Sequence, residues 1–182
     1  SLPATEQSYV PRGNYFHGGV WPFTNQMVVR GLEQYGMNGL AREIALNYWA
    51  AAVQTFRDTG TVWEYLAPES PEPGRSADPS NPGHNARPDF AGWGALAPIA
   101  YLLEYAIGLA PDALRNTVTW DLARTGACGC RRYSFGDVVA DMLVEARTSQ
   151  EDEPVLHVAT NKPFTLDLRW GRGHTKSIQA SP

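Results

Sequence analysis

Positive charge is scarce in this sequence. Lys and Arg together number 15 against 19 Asp and Glu, giving a formal net charge of −4. Neither a nucleic acid nor an anionic membrane surface is therefore an expected partner. Cysteine is nearly absent, with Cys128 and Cys130 the only two. A Cys-x-Cys pair lacks the spacing of a zinc site and has no His close by in sequence. On one strand its two side chains would point the same way, so they read as two ordinary thiols. No apolar run approaches the length of a membrane span. No leader pattern is visible. The chain begins Ser1-Leu2-Pro3 without a Met, and residues are expected to be missing upstream. There is no Gly-rich phosphate loop, no Ser-His-Asp order and no zinc spacing, and His84, His157 and His174 are scattered. No metal or other cofactor is expected. The compartment stays open, with the cytoplasm favoured.

Aromatic residues are plentiful. Six Trp and eight Tyr in 182 residues suit either a large aromatic core or a surface that stacks on sugar rings. Several stand beside Gly or Pro rather than in periodic runs, as in Arg12-Gly13-Asn14-Tyr15-Phe16-His17-Gly18-Gly19-Val20-Trp21-Pro22. Glycine there allows a sharp turn or close approach of backbone to a ligand.

The length suits one domain or one and a half. Residues 1–20 read as irregular. A first helix is predicted from Phe23 to Tyr35, capped by Thr24 or Asn25, with Met27, Val28, Leu32 and Tyr35 at helical spacing and Gly36 as its stop. A second is predicted from Asn38 to Asp58, with Leu40, Ile44, Tyr48 and Phe56 on one face, packed antiparallel to the first. Residues 66–88 are too rich in Pro for a helix and read as a binding loop. A third helix is predicted from Ala95 to Leu109. It is apolar almost all round and so expected to be buried, with Pro98 tolerated in its first turn. After residue 115 the period falls to two: Val118, Trp120 and Leu122 alternate, as do Phe164, Leu166, Leu168 and Trp170. The run Val138–Val144 is ambiguous in type. The fold class is therefore α+β, with helices over 1–112 and a small antiparallel β-domain over 113–182.

The chemistry centres on Thr59-Gly60-Thr61-Val62-Trp63-Glu64-Tyr65-Leu66-Ala67-Pro68-Glu69. A carboxylate between two aromatic rings, where a helix stops, matches the needs of sugar cleavage: flat apolar faces and a group that moves a proton. Glu64 is the candidate general base. An inverting glycosidase needs a second carboxyl roughly 6.5–9.5 Å away to protonate the leaving oxygen. Glu69 either supports the site or is solvated. Asp89 either binds sugar hydroxyls or pairs with Arg87. Trp21, Trp63 and Trp93 either stack on sugar or pack in the core, and His17 either reaches substrate or holds its loop. Asn25 and Arg87 complete the candidate substrate-binding set.

In combination, Gly18-Gly19-Val20-Trp21-Pro22, Val29-Arg30-Gly31-Leu32 with Tyr35-Gly36, Thr59–Tyr65 with Pro68-Glu69, and Arg87-Pro88-Asp89-Phe90-Ala91-Gly92-Trp93 with Pro98-Ile99 resemble (α/α)6-barrel glycoside hydrolases. They are similar to the mannosylglycerate-hydrolase-like and trehalase-like group near family 63, over about residues 12–110. The resemblance implies inverting hydrolysis of an α-glycosidic bond in a small sugar or glycoside. It places the general base on Glu64 and the general acid on an Asp from an earlier half of the barrel, absent from these residues. His17 stands where such proteins often carry Arg. Three helices cannot close a twelve-helix barrel, so the expectation is the C-terminal part of one. Alone it would be inactive, and its apolar helix faces would favour self-association or pairing with the missing segment. The alternatives are an amylo-1,6-glucosidase-like or trehalase-like enzyme, or a non-catalytic carbohydrate-binding or scaffold protein.

Overall fold

The computed structural model describes residues 9–182. The first eight residues of the stretch expected to be irregular lie outside that range. The chain divides into two compact units, one up to Leu102 and the other Leu103–Pro182. The division falls before the expected domain boundary at residue 112, because Leu109–Asp112 is a strand of the second unit rather than the end of a helix. The architecture is α+β.

In the first unit, α1 spans Pro22–Gln34, α2 spans Asn38–Thr59 and α3 spans Trp93–Tyr101. Pro22 occupies the first turn of α1, where its missing N–H costs nothing. The expected caps act differently. Trp21 is the N-cap residue, and Thr24 Oγ1 and Asn25 Nδ2 both donate to its carbonyl, at 2.9 and 3.0 Å. Gly36 closes α1 at φ +74°. Its N–H donates to the Glu33 carbonyl and that of Met37 to the Leu32 carbonyl, the paired bonds of a Schellman stop.

The buried faces of the helices are offset from those expected. Val29 on α1, Ala41, Ala45 and Tyr48 on α2, and Gly94, Ala97 and Tyr101 on α3 are buried, while Met27, Val28, Tyr35, Leu40, Phe56, Leu96 and Ile99 are exposed. Small residues let the helix backbones approach, the expected Tyr48 and Tyr101 pack on each other between α2 and α3 at 5.8 Å between ring centres, and many of the other larger apolar side chains face outward. The third helix is thus one-sided, not buried all round. It also ends early. Pro98 lies in its interior, where it supplies no N–H to the turn before it. A single π-turn follows over Leu102–Ile107, and the Gly108 N–H closes it on the Leu103 carbonyl.

The second unit holds β1 Leu109–Asp112, β2 Thr117–Asp121, β3 Cys128–Phe135, β4 Val138–Val144, β5 Leu156–Thr160, β6 Phe164–Trp170 and β7 His174–Ala180. One sheet runs β1-β2-β6-β7 and the other β3-β4-β5. Every pairing is antiparallel except β2 with β6, which run parallel with Val118 opposite Leu166 and Trp120 opposite Leu168. The small antiparallel β-domain expected from the sequence is present, with this one parallel pair inside it. The chain between those strands builds the second sheet, so β6 returns beside β2 as a crossover instead of a hairpin. One core draws on both sheets: Val118, Trp120, Leu166 and Leu168 from one, Val138, Ala140, Met142 and Val144 from the other. The ambiguous run Val138–Val144 is a strand whose alternate residues enter this core.

Cys128 and Cys130 are free and half-buried on β3, and burial pushes both thiols above their usual pKa, as suits unreactive packing groups. Among the described residues no helix is long and apolar enough to cross a membrane, and no group of three or more His, Cys, Asp or Glu is placed to hold a metal ion.

Candidate active site

The segment after α2 is short, extended and tied on both sides. Gly60, at φ +77°, ends the helix and donates its N–H to the Phe56 carbonyl. Beyond it Trp63 pairs with Pro88 and Leu66 with Val20. The Glu64 N–H donates to the Arg87 carbonyl at 3.0 Å. In extended backbone successive side chains face opposite ways, so Glu64 points away from Trp63 and Tyr65, and Trp63 packs against the buried cluster that holds Tyr65.

Tyr65 is the residue that the sequence did not single out. It is fully buried, and its ring lies against Gly13, Gly19 and Gly74. A Cβ at Gly19 or Gly74 would overlap the ring or nearby backbone, so these glycines are required by close approach. The Tyr65 hydroxyl accepts from the Tyr15 N–H at 3.0 Å and donates to the His84 carbonyl. Burial raises its pKa, and the Tyr15 N–H works the other way. The signal was present as glycines interleaved with aromatics, but nothing in spacing pairs Gly74 with residue 65.

Trp21 is buried. Its indole stacks on Tyr65 at 4.7 Å between ring centres and on Phe16 at 4.8 Å. Of the two roles considered for it, the structure places it in the core. The same backbone ties order the loop of residues 66–88. Gly74 donates to the Tyr65 carbonyl, Ala86 to Gly74 and Arg75 to Arg12. Asn14 Oδ1 accepts from the Ala77 N–H and meets His84 Nδ1 at 3.1 Å.

Glu64 is 5 % exposed. Its Oε2 has no hydrogen-bond partner among the described residues. Arg87 Nε stands 3.9 Å from that oxygen, close enough for charge attraction but beyond a hydrogen bond, and the Arg87 side chain is 74 % exposed. A buried carboxylate oxygen without a donor is costly to the fold. Trp93 Nε1 donates to the Glu64 carbonyl at 2.7 Å, while its ring leans on Phe23 and Phe90. The Glu64 peptide is thus held on its N–H by Arg87 and on its C=O by Trp93.

The remaining candidates fall elsewhere. Trp63 donates through Nε1 to Thr59 Oγ1 at 2.9 Å and lines an apolar groove of about 590 Å³ between α2 and α3, whose lining does not include Glu64. Asn25 and Glu69 line a second cavity of about 360 Å³ with Asn47 and Tyr48. Glu69 accepts from the Tyr9 hydroxyl at 2.7 Å, a bond that raises the Tyr9 pKa. Asp89 sits at φ +54° and accepts from Thr61 Oγ1 at 2.6 Å, so it braces the Trp-Glu turn rather than pairing with Arg87. His17 is exposed in a turn whose N–H donates to the Asn14 carbonyl. Glu64, Arg87 and Trp93 come together; His17, Asn25, Glu69 and Asp89 do not join them.

Known proteins resemble parts of this chain, and the family match among them falls in the first unit. An uncharacterized protein of Borreliella burgdorferi is 26% identical over 139 residues, which is 74% of this chain and 29% of that protein. The chain therefore spans 29% of the length of this curated relative. No solved structure matches. Residues 1–80 match the model of the mannosylglycerate hydrolase MGH1-like glycoside hydrolase domain. The matched range contains His17, Trp21, Asn25, Trp63, Glu64 and Glu69, and Arg87, Asp89 and Trp93 lie beyond it. This match supports a glycoside hydrolase of that group.

Proposed function

We propose that the chain carries the general-base side of an inverting α-glycosidase whose general acid, an Asp, lies outside these residues. Glu64 takes a proton from water. The water oxygen attacks the anomeric carbon on the face opposite the leaving group, and the acid protonates the departing oxygen. One observation carries this reading: a carboxylate buried to 5 % exposure with an orphaned Oε2, in a Trp-Glu turn inside the family match. A group kept at that cost is a candidate for chemistry. The substrate proposed is a small α-linked sugar or glycoside, with trehalose-like and α-1,6-linked glucosides as the nearest variants.

The test is Glu64→Gln in the full-length protein. It is assayed on trehalose, isomaltose, α-glucosylglycerate and α-mannosylglycerate, with the first-formed anomer read by NMR. The expected outcome is a fall in kcat of about 10²–10⁴-fold and release of the β-anomer. Full activity of the variant would remove Glu64 from the chemistry. Full activity of the 182-residue chain alone would show that no outside acid is needed.

A further inference from the structure

Arg87 is held at its root and open at its tip. Its carbonyl accepts the Glu64 N–H at 3.0 Å. Pro88, next in the chain, pairs with Trp63, and its ring favours extended backbone at Arg87. Beyond it the Phe90 N–H donates to the Val62 carbonyl at 3.1 Å, and Thr61 Oγ1 donates to Asp89 Oδ1 at 2.6 Å. Residues 87–90 therefore run beside residues 61–64 and are tied to them along their length.

The side chain is in a different state from this backbone. It is 74 % exposed, while the carboxylate that it faces is almost closed off from solvent. Arg87 Nε stands 3.9 Å from Glu64 Oε2, the buried oxygen with no hydrogen-bond partner among the described residues. A guanidinium carries five N–H donors and keeps its charge at any working pH. What separates the pair from a charge-assisted hydrogen bond is about 1 Å of travel by an exposed tip. Catalytic hydrogen bonds are often long before substrate binds and tighten in the reacting complex.

A carboxylate that takes a proton from water must aim one oxygen at that water. If the carboxyl plane is free to turn, that aim is lost for part of the time, and small misplacements are costly to rate. We propose that Arg87 is the positioning residue of the Glu64 base: its guanidinium closes on Oε2 and holds the carboxyl plane, so that Oε1 is the atom that takes the proton. The proposal rests on the glycosidase reading of Glu64. It assigns Arg87 to the base and not to the sugar, so the guanidinium acts through Glu64 alone.

The test is steady-state kinetics of Arg87→Ala in the full-length protein. The substrate is whichever of trehalose, isomaltose, α-glucosylglycerate and α-mannosylglycerate the wild type hydrolyses. Guanidinium chloride is added below its denaturing concentration, with potassium chloride as the control. Because the Arg87 side chain is exposed, its removal opens a space that a free guanidinium can enter from solvent. The expected result is a kcat about 10²-fold lower with KM within about twofold of wild type. Guanidinium should then restore kcat saturably in Arg87→Ala, and not in Glu64→Gln. Arg87→Gln, read in the same way, serves if the alanine variant does not fold. An unchanged kcat overturns the proposal. So does a raised KM with kcat kept, which puts Arg87 on the substrate, or a lost kcat that guanidinium does not restore, which makes its role structural. In these cases an active wild type and an impaired Glu64→Gln leave the glycosidase reading standing. A wild type that hydrolyses none of these substrates, or a fully active Glu64→Gln, brings down that reading and this proposal with it.

Discussion

Trp93 Nε1 donates to the backbone carbonyl of Glu64 at 2.7 Å, so the indole expected to stack on a sugar also fixes the peptide of the proposed base. Trp93→Phe keeps the ring beside Phe23 and Phe90 and deletes only the donor. The expected cost is about 1 kcal/mol of stability by chemical denaturation. In the full-length protein kcat should fall more than KM rises, because the base is misplaced while substrate contacts remain. A rise in KM with kcat unchanged would instead make Trp93 a simple binding platform.

Glu64→Gln should separate function from stability. The buried Oε2 lacks a donor, and the facing Arg87 is too exposed to compensate fully. Removing the charge should raise the unfolding free energy by about 1 kcal/mol while lowering kcat about 10²–10⁴-fold. A variant that is both less stable and still active would mark Glu64 as structural.

Gly74 and Gly36 make a matched pair. A methyl at Gly74 would overlap the Tyr65 ring, and a methyl at Gly36 meets nothing within 4 Å although its φ is +74°. Gly36→Ala should cost only the left-handed backbone strain, about 1–2 kcal/mol. Gly74→Ala should cost more than about 3 kcal/mol, since the ring is locked by Trp21 and two hydrogen bonds. Denaturation midpoints of both variants check the order; equal losses would mean that the ring slot can relax.

The outward apolar residues of the helices predict association. Leu96 is 66% exposed and Ile99 54%. Sedimentation velocity on the 182-residue chain should show concentration-dependent oligomers, reduced by Leu96→Glu and Ile99→Glu. A single monomeric species at every concentration would contradict this.

Much of the local structure could be read in advance. Gly36 marked the end of α1 because a left-handed residue is what stops a helix, and Gly60 ends α2 in the same way. Phe164, Leu166, Leu168 and Trp170 marked β6 because a period of two puts every second residue in the core. Periodicity failed for α3. It reports apolar residues without saying which of them find a partner, and Pro98 lay deeper in the helix than its predicted start implied.

Glu64 was legible as a carboxylate between rings at a helix end, and a resemblance to the glycoside hydrolase group that the match over residues 1–80 supports was legible in the order of the motifs. Sequence alone thus set the helices, their stops, the alternating strands and the candidate base, because these depend on residues near one another along the chain. Tertiary structure decided the rest. It buried Glu64 beside Arg87, set Trp21 between Tyr65 and Phe16, closed three distant glycines around one ring, and returned β6 parallel to β2. Each of these is a contact between residues far apart in the chain, fixed by which surfaces fit together once the elements have formed.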